Sequence, residues 1–213
     1  MNRFSVRGLT TLSVSLSLLM FTEGQAQVRV MQTNSTDTMV HLIDPVTNRI
    51  VDEINGIPVA HGIAAAPDGS RIYVSGEAEV ALKVIETATM EIIKSIPLSG
   101  RPNNVSITPD GRKVYVGINV LPGAIDVIDT VTLENVKKID VPGGIHNIYV
   151  TPDGRRVIAG SIGGRRLTVL DTATDEELWA WEGEAIRPVA MNTKSDGSVD
   201  KLFIQVSGHH GFV

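Results

Sequence analysis

Residues 104–141 read NVSITPDGRKVYVGINVLPGAIDVIDTVTLENVKKIDV, and the reading of this stretch decides the fold. It divides into four short runs, NVSITP, KVYVGI, AIDVID and NVKKIDV, each with the β-branched content and alternation of a strand. PDG stands between the first two runs, where proline presets φ for a turn and glycine supplies a positive φ at little steric cost. DTVT stands between the last two, with Asp and Thr side chains able to bond their own backbone. Four short strands joined by tight turns make one antiparallel sheet.

The unit recurs. PDG or SDG appears at Asp68, Asp110, Asp153 and Asp196, spaced by 42, 43 and 43 residues. A second mark runs out of phase with the first: LIDPVT at Asp44, VIETAT at Glu86, VIDTVT at Asp129 and VLDTAT at Asp171, spaced by 42, 43 and 42. Beyond the N-terminal segment no window shows helical periodicity. Four antiparallel strands every ~40–45 residues is the pattern of a β-propeller blade, whereas β-solenoid periods are shorter. A blade buries both faces against its neighbours, which accounts for apolar residues on both sides of the strands and for small ones such as Ala64 and Ala66.

VYVGINVLPGAIDVIDTVT (114–132) and VPGGIHNIYVTPDGRRV (141–157) resemble the YVTN-type β-propeller repeat. Its form is a tyrosine-valine strand, a VIDTAT turn and a G-x-P-H-G-I-A-V-S-P-D-G hairpin. The resemblance covers about residues 28–213 and implies an all-β propeller of four-stranded antiparallel blades, about four repeats of a ring of about seven. The last unit departs from it: MNTKSDG replaces the usual turn, and Val189 takes the histidine position. A WD40 reading fits poorly, because there is no Trp-Asp pair and Trp179 and Trp181 share one outer strand.

Strand order predicts an incomplete ring. QVRVMQTNS resembles a second strand, followed by third and fourth strands around Leu42 and Ile54. The last unit supplies a first strand near Ala190, a second at LFIQVS, then GHHGFV, with Phe212–Val213 where a third strand begins. Both ends offer a second strand, so closure at four blades leaves one redundant. The expectation is part of a longer propeller, incomplete at its C-terminal side.

The first 26 residues read as a secretory signal peptide. Arg3 and Arg7 precede an apolar run of about a dozen residues, Leu9 to Phe21, and Gly24 and Ala26 give a small-x-small cleavage site after Ala26. The run is short for a membrane span of ~20 residues, and no later stretch could cross. Residues 27–213 are then the propeller domain, exported to the periplasm, cell surface or exterior. There are no cysteines, so disulfides, thiolate zinc sites and a lipidated-cysteine anchor are excluded. A formal charge of −5 gives no basic footprint for nucleic acid, and aromatics at 4% offer little for base stacking.

Candidate site residues come from aligning the units on the turn aspartate. His61, Asn103, His146 and Val189 fall seven residues upstream, at the mouth of the channel-lining first strand. His209 and His210, in GHHG, fall in a loop on the same face of the disc. Imidazole can ligate zinc, copper or haem iron, or act as acid or base near neutral pH. A polar residue at a strand mouth can equally bond loop carbonyls, and the YVTN pattern carries histidine there routinely. Arg101, Asn104 and Arg187 lie in loops of that face and could meet an anion. His41 aligns with Lys83, Asp126 and Thr168, a polar slot on the third strand, and reads as surface or inter-blade. GSIGGRR (160–166) joins two strands, so the helix-terminus argument for phosphate binding fails. The repeated Asp44, Glu86, Asp129 and Asp171 serve their turn, and no catalytic motif appears.

The ligand-binding set is therefore His61, Asn103, His146, Arg187, His209 and His210, with no metal site assigned. The expected function is an exported binding or scaffold protein that engages a protein or small ligand with its top-face loops. The alternative is a propeller enzyme or redox subunit: a lactonase-like metal hydrolase, or a component holding haem or a transition metal such as copper in the channel. In the redox version His61, His146, His209 and His210 are the ligands.

Overall fold

The computed structural model describes residues 28–209 and 211–213, with the side chains of residues 209–212 left out of account. The signal peptide expected over 1–26 lies outside the described residues. Eighteen strands form five antiparallel sheets in chain order. Blade 1 holds β1 (Val30–Thr33), β2 (Met39–Asp44) and β3 (Arg49–Asn55). Blade 2 holds β4 (Ala60–Ala65), β5 (Arg71–Gly76), β6 (Ala81–Glu86) and β7 (Glu91–Pro97). Blade 3 holds β8 (Pro102–Ile107), β9 (Lys113–Ile118), β10 (Gly123–Asp129) and β11 (Glu134–Val141). Blade 4 holds β12 (Ile145–Val150), β13 (Arg156–Ser161), β14 (Arg166–Asp171) and β15 (Glu176–Glu182). Blade 5 holds β16 (Ile186–Thr193), β17 (Val199–Val206) and the two-residue β18 (Gly211–Phe212).

The turn chemistry anticipated from sequence fixes these hairpins. In each PDG or SDG turn the glycine has positive φ, between 71° and 80°. Its N–H donates to the carbonyl three residues back, as from Gly111 to Thr108 at 2.8 Å. The turn aspartate accepts the backbone N–H two residues on, as Asp68 does from Ser70 at 2.9 Å. The second hairpin type closes with a five-residue bond, Asp175 N–H to the Asp171 carbonyl at 2.8 Å, and a bulge follows between Val169 and Leu170. Its last residue adopts the left-handed conformation in blades 1 to 4: Asn48, Met90, Leu133 and Asp175.

Blades pack face to face, with the inner strands β4, β8, β12 and β16 side by side. Each junction is an apolar cluster shared by two blades, such as Tyr73, Leu82 and Ile96 against Val105, Val116 and Ile118. Close approach at these junctions demands small residues on the second strand. A Cβ at Gly117 would lie 2.6 Å from Ile145 Cγ2, and one at Gly160 would lie 2.9 Å from Ile186 Cγ2. Ser75 stands at the equivalent place in blade 2 and uses its hydroxyl as a bolt. It accepts from Gly62 N at 2.8 Å and donates to the Asn103 carbonyl at 2.6 Å.

One alignment made from sequence is corrected. Ala60, Pro102, Ile145 and Ile186 pair with Gly76, Ile118, Ser161 and Val206, so they share one register. The residue after each is His61, Asn103, His146 and Arg187. Val189 instead pairs with Ile204 and shares its register with Ile63, Val105 and Ile148. The physical reason is the length of the β16–β17 hairpin, whose strands are eight residues each against six in the preceding blades. Counting seven residues back from the turn aspartate therefore stops two residues short of Arg187.

Candidate functional site

The site lies on the face that carries the loops into the first strands and the loops between second and third strands. That these two loop sets meet is visible in backbone bonds between them: Glu77 N–H to the Val59 carbonyl at 3.2 Å, Asn119 to Arg101 at 2.8 Å and Ser207 to Ala185 at 3.1 Å.

Its centre is Glu77, directly after β5, with only 6% of its surface exposed. A carboxylate this buried needs several donors, and the junction of blades 2 and 3 supplies them. Arg101 donates through Nε to Oε2 at 2.8 Å and also through Nη2. Asn103, itself buried, donates Nδ2 to Oε1 at 3.4 Å. The Nδ1 atom of His61 lies 3.1 Å from the same Oε1. A lone pair on Nδ1 would face a negative oxygen, so electrostatics places the proton there. In the neutral ring the lone pair then sits on Nε2, in a side chain 37% exposed.

His146 repeats this arrangement two blades on. Its Nδ1 lies 2.7 Å from the Asn147 side-chain oxygen, which can only accept, and Asn147 is buried. Again Nε2 is left open. Asn103, between them, turns sideways into Glu77, and Arg187 donates Nε to the Ser207 hydroxyl at 2.7 Å on the exposed rim. The four positions are thus two wired imidazoles, one structural amide and one arginine, not a uniform ring.

The remaining candidates separate cleanly. Arg101 is tied to Glu77, and the Asn104 side chain accepts from Val105 N at 2.7 Å, which leaves little for an anion. His41 sits between Glu53 at 3.6 Å and Asn34 at 3.3 Å, while Lys83, Asp126 and Thr168 in the same slot are buried between blades. The 160–166 stretch joins β13 to β14, with Arg165 and Arg166 paired to Glu184, Glu177 and Glu182. The backbone of Ser207–His209 forms a 3-10 turn between β17 and β18; the His209 side chain and His210 lie outside the described residues. Among the described residues, no three His, Asp or Glu side chains come together in a way that could hold a metal ion.

Glu77 is the residue that sequence reasoning missed. Its signal was available: its counterpart in the next blade is Asn119, and that of Arg101 is Gly144. A charged pair replaces a neutral one at a single junction of the repeat.

This geometry defines the class: an all-β protein with the blades of a β-propeller. Two of the solved structures that share the arrangement illustrate it. One is hydrazine synthase of Kuenenia stuttgartiensis, with a TM-score of 0.73 at 23% identity over 85% of this chain and 53% of that one. The other is dihydro-heme d1 dehydrogenase NirN in complex with DHE, with a TM-score of 0.68 at 15% identity over 88% of this chain and 43% of that one. The chain thus spans about half the length of these structures, and at such identities the likeness shows the fold alone. No family model and no curated protein matches the sequence.

Proposed function

We propose that the protein is an exported binding module whose top face engages a protein segment or small ligand through the open Nε2 atoms of His61 and His146. The observation that carries this reading is the wiring of His61. A buried carboxylate, shared with Arg101 and Asn103, fixes the ring without consuming its outward nitrogen. An imidazole so held offers an acceptor to a donor group at low entropic cost. Export is supported by the basic-then-apolar leader. Among the described residues no helix is long and apolar enough to cross a membrane.

A second reading, a haem-bearing redox component, is favoured by the same wiring. A carboxylate behind Nδ1 orients a metal-ligating histidine and raises its basicity. A single open imidazole could hold haem iron, whereas a zinc site needs several side-chain ligands, so the residues present fit haem better than they fit a metal hydrolase. Haem bound there would supply one-electron chemistry; His61 would supply the ligating Nε2, and Glu77 would hold the Nδ1 proton. The two structural neighbours are enzymes by name, one of them named for a haem substrate.

The test is elemental analysis and a visible spectrum of the protein purified from its exported fraction, together with His61→Ala and His146→Ala. The binding-module reading expects no stoichiometric metal and no Soret band. A Soret band that either substitution shifts or abolishes would overturn it in favour of the redox reading.

A further inference from the structure

Asp126 is a fully buried acid on β10, outside the cluster around Glu77. Both of its oxygens accept from one residue, Ser99, in the loop that leads from blade 2 into β8. The Ser99 N–H donates to Oδ2 and the Ser99 hydroxyl to Oδ1, each at 2.7 Å. A buried acid needs donors of this kind. Ser99 is exposed and could bond water instead, yet both of its donors turn inward. What they fix is the backbone two residues ahead of Arg101.

The rest of that loop is held at close intervals. The Leu98 N–H donates to the Val80 carbonyl at 3.0 Å, and the Arg101 carbonyl accepts from Asn119 N–H at 2.8 Å. Between them Gly100 leaves no room for a side chain, since a Cβ there would lie 2.7 Å from Ile118 Cγ2. The side-chain clamp just ahead of Arg101 is Asp126. The blade 3–blade 4 junction is built otherwise. Thr168 fills the slot of Asp126, Gly144 stands for Arg101, and Pro142, two residues before Gly144, has no N–H to give. In blade 2 the slot holds Lys83, which turns to Glu79 and Ser95 of its own blade. The acid in the slot, the serine it holds and the arginine that follows thus come together at the junction that carries Glu77 and His61.

We propose that Asp126 is a positioning residue of the top-face site. Through Ser99 it sets where Arg101 leaves the backbone, and through Arg101 and Glu77 it fixes the Nδ1 proton of His61. The links are the two Ser99 bonds, the guanidinium of Arg101 on Glu77 Oε2, and Glu77 Oε1 at 3.1 Å from His61 Nδ1. An outward Nε2 is only as well aimed as the groups behind it, and Asp126 anchors that series in the blade interior. The inference rests on the reading of His61 as a wired imidazole and adds the residue that governs its wiring from a distance.

The test is nitrogen-15 NMR of the full chain, read at the His61 imidazole and at Arg101 Nε. Asp126→Thr installs the residue that is buried in the same slot of blade 4, so the slot accepts it. Its hydroxyl sits one bond closer to the backbone and gives up both contacts to Ser99 at their present length. The excess of the Nδ1-protonated form at His61 is expected to fall at least ~3-fold, the weight of a weakened hydrogen bond, and Arg101 Nε–H to exchange faster with water. Asp126→Asn should keep the His61 ratio within about twofold of the parent, because its amide oxygen can accept the Ser99 N–H while its amide nitrogen donates to the Ser99 hydroxyl. Thr168→Val, in the same slot one junction on, should leave His61 as it is. An unchanged His61 in Asp126→Thr, with the parent wired as described, would overturn the proposal alone. Equal loosening in Asp126→Asn would overturn it too, since it would mark the charge of Asp126 rather than its placement of Ser99. An equal change at His146 would do the same by marking a general loosening of the blades. A parent protein without the proton on His61 Nδ1 would overturn the reading of the site and this proposal with it.

Discussion

Glu77 and Arg101 pair a buried acid with an arginine across the blade 2–blade 3 junction, and a double-mutant cycle measures their coupling. Glu77→Gln removes the charge but leaves one acceptor oxygen. The Arg101 side chain is 57% exposed and recovers water, so its share of the loss is that of an exposed pair, about 0.5–1 kcal/mol. The Gln amide must also turn a donor toward Arg101 or Asn103, which adds about 1 kcal/mol for a mismatched buried group. The expected cost is about 2 kcal/mol. Arg101→Ala is worse, about 3 kcal/mol, because it leaves a carboxylate with 5% side-chain exposure and no cation. In the double variant the buried charge and its partner vanish together, so the cost stays near 3 kcal/mol rather than the ~5 kcal/mol of simple addition. Urea unfolding at constant m-value reads these differences. For a domain of this size the Glu77→Gln loss corresponds to a Tm lower by roughly 4–8 °C. Additivity within about 0.5 kcal/mol would refute the reasoning, because it would mean that Glu77 and Arg101 do not sense each other.

Further predictions concern the scaffold that holds the site. Tyr115 donates to Asp175 at 2.6 Å across the blade 3–blade 4 junction, and burial followed by that carboxylate pushes its hydroxyl well above the usual tyrosine range. Its contribution is therefore full below about pH 10 and is lost as pH rises beyond it. Tyr115→Phe should cost about 1.5–3 kcal/mol, and a cost under about 0.5 kcal/mol would show the bond to be idle. The carboxyls of Asp68 and Asp196 are held below the ordinary range by bonds from Ser70 and Ser198, and that of Asp110 by Thr108 and the Arg112 N–H. Their stabilisation is present above about pH 4 and fades as pH falls through the folded values. Acid unfolding of Asp110→Asn should therefore be less steep than that of the parent; an unchanged pH profile would contradict this. Gly117→Ala drives a methyl into Ile145 and should cost about 1–3 kcal/mol, whereas Ser75→Ala at the equivalent position should lose only its hydroxyl bonds to Gly62 and Asn103. Equal stability of Gly117→Ala and the parent would count against the tight inter-blade approach.

The fold was legible because two independent turn marks kept step along the chain, and each mark states its own geometry in its residues. The same regularity misled at Val189. There the hairpin is longer, and a count from the turn cannot see residues added symmetrically to two strands. His61 and His146 were visible because they break an apolar pattern at a fixed place. Glu77 was not, because acids in loops are common. Its burial depends on Arg101 and Asn103 arriving from the next blade, which is a property of packing rather than of any local run.

Open Nε2 atoms at His61 and His146 are the central claim, and nitrogen-15 NMR of the neutral imidazoles tests it most directly. Both rings are predicted to carry the proton on Nδ1 and to show an unprotonated Nε2, and Glu77→Gln should loosen that preference at His61 while leaving His146 unchanged. Protonated Nε2 on both rings in the parent protein would contradict the site.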